Sequence, residues 1–176
     1  METTGVVRRI DELVRIVIPK EIRRTLRIKD GASLEIFVEK DTVALKKHSS
    51  LNDLGDFAEL YADSINQAIG STVVITDNDS VIACSGISKK EYTGSHISEF
   101  LESVIAKRES VLEQDKKEIE IIENKHIKAS YVIHTIVSSG DAVGLVIILA
   151  QKRTVSELEN KTALVAAQFL GKHVEQ

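Results

Sequence analysis

The chain contains a single proline, Pro19, among 176 residues, and its position constrains the folding of everything around it. Before it, "VRIVI" (Val14–Ile18) sets Val14, Ile16 and Ile18 on one face and Arg15 and Val17 on the other, the period of a strand. After it, "PKEIRRTLRI" puts Ile22 and Leu26 on one side of a helix and Arg23, Arg24 and Arg27 on the opposite side. Proline cannot donate to a sheet ladder and spoils a central strand. It suits the first position of a helix, where its missing N–H is not needed and its fixed φ is already helical. It also biases Ile18 towards an extended conformation. Pro19 therefore marks a strand-to-helix switch.

The segments around the switch extend the pattern. "GVVRRI" (Gly5–Ile10) predicts an earlier strand and "DEL" a turn. "KDG" (Lys29–Gly31) is expected to end the helix, and "SLEIFVEK" and "TVALKK" to form two strands joined near Lys40–Asp41. The first fifty residues thus read as ββαββ, with no cysteine to staple them. A lone core below roughly 60 residues is marginal, and oligomerisation is a usual remedy. The expectation is an intertwined or tightly packed dimer.

Charge divides the chain in the same place. The net charge of −4 combines residues 1–50, with 11 Lys/Arg against 8 Asp/Glu, and residues 51–176, with 12 against 19. Opposite signs predict two modules with different partners, 1–50 and 51–176. Between Arg8 and Lys29, eight basic residues face only Asp11, Glu12 and Glu21. Such residues neutralise phosphates and release counterions, which gives affinity without sequence information. The bland alternative is a solvated surface on which they pair with those three acids.

At this point the residues resemble a known family. "TGVVRRIDELVRIVIPKEIRRTLRIKDGASLEIFVEKDTVALKK" is similar, almost without a gap, to the AbrB-type swapped-hairpin DNA-binding domain of bacterial transition-state and sporulation regulators. The resemblance implies a homodimer of interleaved hairpins, a small intertwined β-barrel, that presents arginines from both chains to double-stranded DNA. The family's DNA-contacting positions match Arg8, Arg15, Arg23 and Arg24; Arg9 and Lys20 join them, and Arg27 is added from the helical geometry. One position departs. The family pattern reads Leu-Gly-Arg where this chain has Leu13-Val14-Arg15. A β-branched residue is poorly suited to positive φ, so the loop either takes a more extended path or is strained.

The second module reads as α+β. "SSLNDLGDFAELYADSINQAIG" predicts a helix, with Ser50 and Asp53 as a capping pair and Gly70 as its end. "STVVITD" and "SVIACSG" predict strands joined at Asn78-Asp79, and "SHISEFLESVIAKRES" an amphipathic helix. In "KKEIEIIE", Ile119 and Ile121 point inward and Glu118 and Glu120 outward; "ASYVIHTIVSS" and "AVGLVIILA" form a hairpin turning at Gly140-Asp141. The apolar run Gly144–Ala150 predicts a central strand. A capping box, Thr154 to Glu157, opens a last helix with two apolar stripes. One stripe packs on its own sheet. The other packs on the first helix of this module, on a partner's copy of it, or on both, which would pair dimers into a tetramer.

This order is similar to a GAF domain, with the PAS domain as competitor; terminal helices on one sheet face favour GAF. GAF domains often hold a small molecule, and the candidate walls are "ACSGISKKEY" (Ala83–Tyr92) and the helix start at Ser95. Ser85, Ser88 and Lys89 would meet an anionic effector there, and Cys84 lies beside them as either a buried hydrophobe or a sensor thiol. His48, His96, His126, His134 and His173 are scattered, so no metal site is expected, and no catalytic constellation or cofactor motif is visible. Cys84 is the only cysteine, no apolar run reaches about 18 residues, and no export signal opens the chain. A cytoplasmic protein without membrane contact is expected. The expected function is DNA-binding transcriptional regulation of sporulation genes, as activator, repressor or both, with a sensory or assembly module behind it. The alternative is an antitoxin-like or scaffold module that binds protein, with incidental DNA affinity.

Overall fold

The computed structural model describes residues 7–28, 30–49, 51 and 54–175. The chain forms two compact units, Met1–His48 and Ser49–Gln176.

The first unit contains α1 (Lys20–Thr25), β1 (Leu34–Glu39) and β2 (Thr42–Lys47). Pro19 stands just outside α1, as its cap, rather than at the first helical position. Its φ of −55° suits a helix, but its ψ of 145° is still extended, while its carbonyl already accepts from the Arg23 N–H at 2.9 Å. The helix ends earlier than expected, before Lys29–Gly31. Arg27 is left-handed (φ 50°); its N–H reaches the Arg24 carbonyl, and the Ile28 N–H reaches the Arg23 carbonyl at 2.7 Å. This pair of bonds is a Schellman cap, and it carries Arg27 off the helical surface on which the periodicity had placed it. β1 and β2 pair antiparallel from Leu34↔Lys47 to Glu39↔Thr42, so the turn is Lys40–Asp41, as expected.

The two expected strands before Pro19 do not form in the single chain. Residues 7–10 and 15–18 have no ladder partner among the described residues; Gly5 and Val6 of the first lie outside those residues. α1 buries none of its side chains, and Val7, Val38 and Ile36 are 93 %, 74 % and 67 % exposed. An isolated two-stranded sheet is marginal at best.

The second unit contains α2 (Gly55–Ile69), β3 (Thr72–Thr76), β4 (Val81–Ser85), α3 (Lys89–Tyr92), α4 (Glu99–Lys107), β5 (Val111–Ile122), β6 (Lys125–Ser138), β7 (Asp141–Ala150) and α5 (Glu157–Val174). All strands are antiparallel in the order β4-β3-β7-β6-β5, which puts the doubly apolar β7 at the centre. On one sheet face Val146 and Ile148 pack against Ala62 and Ile65 of α2 and Ala163, Ala167 and Leu170 of α5. On the other, Leu145, Ile147 and Leu149 pack against Leu101 and Val104 of α4 and Tyr92 of α3. Gly144 is required on β7, because a Cβ there would lie 1.9 Å from the Thr76 carbonyl oxygen.

Local chemistry moved several boundaries. α4 is shorter than the expected 95–110 helix: the Ser98 hydroxyl caps its start, accepting from the Leu101 N–H, and left-handed Arg108 (φ 55°) ends it. β5 begins at Val111, ahead of the alternating stretch that announced it, and α3 was not anticipated. The β6–β7 turn is Ser139–Gly140, one residue early, with both φ values positive (49° and 87°). The capping pair expected at Ser50 and Asp53 lies outside the described residues. The capping box of α5 is Ser156 with Glu159, not Thr154 with Glu157. The reason is tertiary: the Val155 N–H donates to Ser130 Oγ of β6 at 2.9 Å, which holds Thr154 and Val155 outside the helix.

Glu159 is fully buried, and it joins three elements. It accepts from the Ser156 N–H (2.8 Å) and hydroxyl (2.5 Å) and pairs with Arg153 at 2.5 Å. Arg153 also donates to the Ile69 carbonyl at the end of α2 (2.9 Å) and to Ser71 Oγ (2.7 Å). Burial pushes the Glu159 carboxyl up, but the Arg153 and Ser156 hydrogen bonds outweigh it and hold it at about 2. Glu159→Ala is expected to destabilise this unit by about 1–3 kcal/mol, below the usual figure for a buried pair because Arg153 is half-exposed. The folded pKa lies below the ordinary 4.5. The contribution is therefore complete above that value and is lost as pH falls from there through 2. Thermal unfolding of parent and variant from neutral pH downwards checks this: the gap between their midpoints should close in acid.

Candidate nucleic-acid interface

The basic residues of the first unit stand on three pieces of backbone: the stretch before the turn, the turn itself, and α1. Arg8 and Arg9 are exposed on the extended stretch, and Lys20 and Arg24 are exposed on α1. None of these four side chains has a hydrogen bond or ion pair to another described residue. Arg23 is partly covered and donates through Nη1 to Asp30 at 3.2 Å. Arg27 sits in the left-handed cap, where its carbonyl accepts from Lys47 Nζ at 3.1 Å. An exposed pair such as Arg23–Asp30 is worth little in water, so it leaves Arg23 able to exchange its partner for an anion.

Arg15 is placed by the turn, and one carboxylate builds that turn. Asp11 Oδ1 accepts from the Leu13 and Arg15 N–H groups, both at 2.9 Å, and Oδ2 accepts from Arg15 Nε at 2.9 Å. The Val14 N–H donates to the Asp11 carbonyl at 3.0 Å, and the Asp11 N–H to the Arg15 carbonyl at 3.1 Å. The hydrogen bonds from the Arg15 backbone, the Arg15 side chain and the Leu13 N–H hold the Asp11 carboxyl below its ordinary value. Val14 adopts φ 59° at the turn's apex. Of the two paths open to the Leu13-Val14-Arg15 loop, the strained one is taken. The Asp11 clamp forces the left-handed geometry, which costs a β-branched residue on the order of 1–2 kcal/mol. The sequence showed Asp11 only as a neighbouring charge; an aspartate two residues before a backbone N–H at a turn was the available signal.

In the second unit the four candidate ligand residues do not converge. Cys84 is fully buried in the core face shared with Tyr92 and α4, with its sulfur 3.8 Å from Thr93 Oγ1; burial pushes its thiol up. Ser85 lies near Asp63 of α2 and, with Lys89, holds that carboxyl below its ordinary value. Lys89 donates to Glu59 Oε1 (2.5 Å) and Asp63 Oδ2 (3.0 Å), two acids of α2 that the sequence did not single out, and their bonds push its ammonium up. Ser88 is exposed ahead of α3. Lys89 therefore joins α3 to α2 as an ion-pair cluster. His134 is a satisfied core histidine, between Ser110 Oγ (3.0 Å) and Asn160 Oδ1 (2.9 Å). Among the described residues no group of metal-ligating side chains converges, and no helix is long and apolar enough to cross a membrane.

Comparison with known proteins covers both units. Residues 53–175 match the family described as "Stage V sporulation protein T C-terminal, transcription factor". Residues 7–53 match "Antidote-toxin recognition MazE, bacterial antitoxin". The chain is 48 % identical to stage V sporulation protein T of Bacillus subtilis (strain 168), over the full length of both. It is 40 % identical to the transition state regulatory protein AbrB of the same organism, over 42 % of this chain and 77 % of that one. The GAF domain of an Acinetobacter phosphoenolpyruvate-protein phosphotransferase aligns with a TM-score of 0.59 at 12 % identity, over 69 % of this chain and 81 % of that one. The second unit therefore has the GAF fold, not the PAS fold.

Val14→Gly is expected to stabilise the first unit by about 1 kcal/mol, because glycine adopts the left-handed turn freely and loses that advantage only in part to its greater unfolded-state entropy. A rise in the unfolding midpoint of that unit, followed by chemical denaturation, checks it.

Proposed function

The chain belongs to the stage V sporulation protein T family, and from that membership we propose how this protein engages DNA. It is a transcription factor of sporulation and not an enzyme. The first unit binds double-stranded DNA through Arg8, Arg9, Arg15, Lys20, Arg23, Arg24 and Arg27, as activator, repressor or both. The observation that carries this is the set of basic side chains, most of them exposed, on a unit whose net charge is opposite to that of the rest of the chain. Residues 1–50 act as the DNA-binding module and 51–176 as the regulatory and oligomerisation module.

We further infer a homodimer in which the hairpins of two chains interleave. Support comes from the backbone of residues 7–10 and 16–18, which has no ladder partner among the described residues, and the exposed Val7, Ile36 and Val38. Dimers pair into tetramers through α2 and α5, whose outer stripe leaves Leu60, Leu158, Val165 and Phe169 exposed. A small-molecule effector acts on the GAF-like unit, and the protein works in the cytoplasm beside the chromosome. The match of residues 7–53 to an antitoxin family favours a second reading, a protein-binding module with incidental DNA affinity.

Salt dependence separates the two. Direct phosphate contact gives a steep fall of log K with log salt, about 0.9 per contact neutralised; protein docking gives a flat one. Arg23→Ala and Arg24→Ala are expected to weaken DNA binding and to shallow that slope by roughly one per lost contact, with unchanged circular dichroism. Gel shifts at several salt concentrations that matched the parent would remove those residues from the interface. A solution mass for the full chain and for residues 1–50, at least twice the chain mass in each case, tests the dimer.

A further inference from the structure

The arginines of the first unit differ in which nitrogen is engaged. Arg15 is held through Nε, by Asp11 Oδ2 at 2.9 Å. That contact leaves its two terminal nitrogens, side by side in the planar guanidinium, without a partner among the described residues, on a side chain that is 67 % exposed. Arg23 is held through Nη1, by Asp30 at 3.2 Å, so its fork must let go of the carboxylate before it can grip anything planar. Arg8, Arg9 and Arg24 have no partner among the described residues and must lose rotamer freedom on binding. Among Arg8, Arg9, Arg15, Arg23 and Arg24, Arg15 alone has a fork that is both oriented and empty among the described residues.

Guanine presents O6 and N7 side by side in the major groove, the two-acceptor edge that such a fork fits. We infer that Arg15 is the arginine preset to read a guanine edge, and that Asp11 is the positioning residue that presets it. The inference rests on the DNA-binding function proposed above. Asp11 does both jobs with one carboxylate: Oδ1 shapes the turn through the Leu13 and Arg15 N–H groups, and Oδ2 orients the guanidinium. The two jobs can be separated. In Asp11→Asn the amide oxygen keeps the two backbone bonds, while the amide NH2 faces Arg15 Nε with a donor and cannot hold it.

The experiment uses the full chain and two probes: a duplex enriched from a random-sequence library on the parent protein, and a scrambled duplex of the same length. Affinity for both is measured by fluorescence anisotropy across salt, for parent, Asp11→Asn, Arg15→Lys and the double variant. Asp11→Asn should lower the ratio of specific to scrambled affinity about tenfold or more and leave the salt slope unchanged, since no phosphate contact is lost. Arg15→Lys, which keeps the charge but not the fork, should lower the ratio similarly. Asp11→Asn should then cost nothing further in that background. A merely structural or merely repulsive Asp11 would change both affinities by the same factor, and that result overturns the inference, as would full additivity of the two substitutions. If the parent binds neither duplex, the DNA-binding reading falls and this inference falls with it. If the parent discriminates and Asp11→Asn does so equally well, only this inference falls.

Discussion

The first unit cannot bury its own apolar residues, and the organisation of the protein follows from that. Its alternating valines and isoleucines need a second layer, and fewer than fifty residues cannot wrap around to supply one. In the single chain the stretches flanking Asp11–Arg15 remain extended without a ladder, and α1 lies against little. Extended backbone without a ladder partner is what the proposed second copy of the chain would pair with. The proposed surface that draws arginines from two chains would answer the same shortage of core.

The second unit is built on the opposite principle. Its sheet is covered on both faces, and β7 at the centre carries a continuous apolar run because neither of its faces meets water. At one polar node Arg153 and Glu159 join the end of α2, the entry to α5 and the capping serine. The node closes one end of the two-helix layer. The stacked rings of Phe57, Tyr61, Phe169 and His173 run between the same two helices. The outer faces of these helices keep an apolar stripe, so this unit is self-sufficient as a fold and still carries surface suited to assembly.

Individual residues show where sequence reading reached and where it stopped. Pro19 was legible as the junction where extended chain gives way to helix because its fixed φ and missing N–H act locally, although the strand expected before it does not form in the single chain. Whether it is inside or outside the helix depended on ψ, which its ring does not fix. The α5 capping box shifted because Ser130, on a distant strand, takes the Val155 N–H. Lys89 looked like an anion-binding lysine, and only the packing of α2 beside it revealed Glu59 and Asp63 as its partners. Val14 was visible as a departure from its family's glycine. The choice between an extended and a strained loop was made by the Asp11 carboxylate.

The sequence by itself determined the junction at Pro19 and the hairpin after it, the α+β order of the second unit, the central position of β7 and the basic character of the first unit. Each of these rests on periodicity, charge or a residue's intrinsic backbone preference, which neighbouring residues carry with them. Tertiary structure decided which arginine is oriented and which is free, where the left-handed residues fall, and which polar side chains neutralise one another. Those outcomes depend on contacts a few ångströms long between residues brought together by folding, and no local pattern encodes such distances.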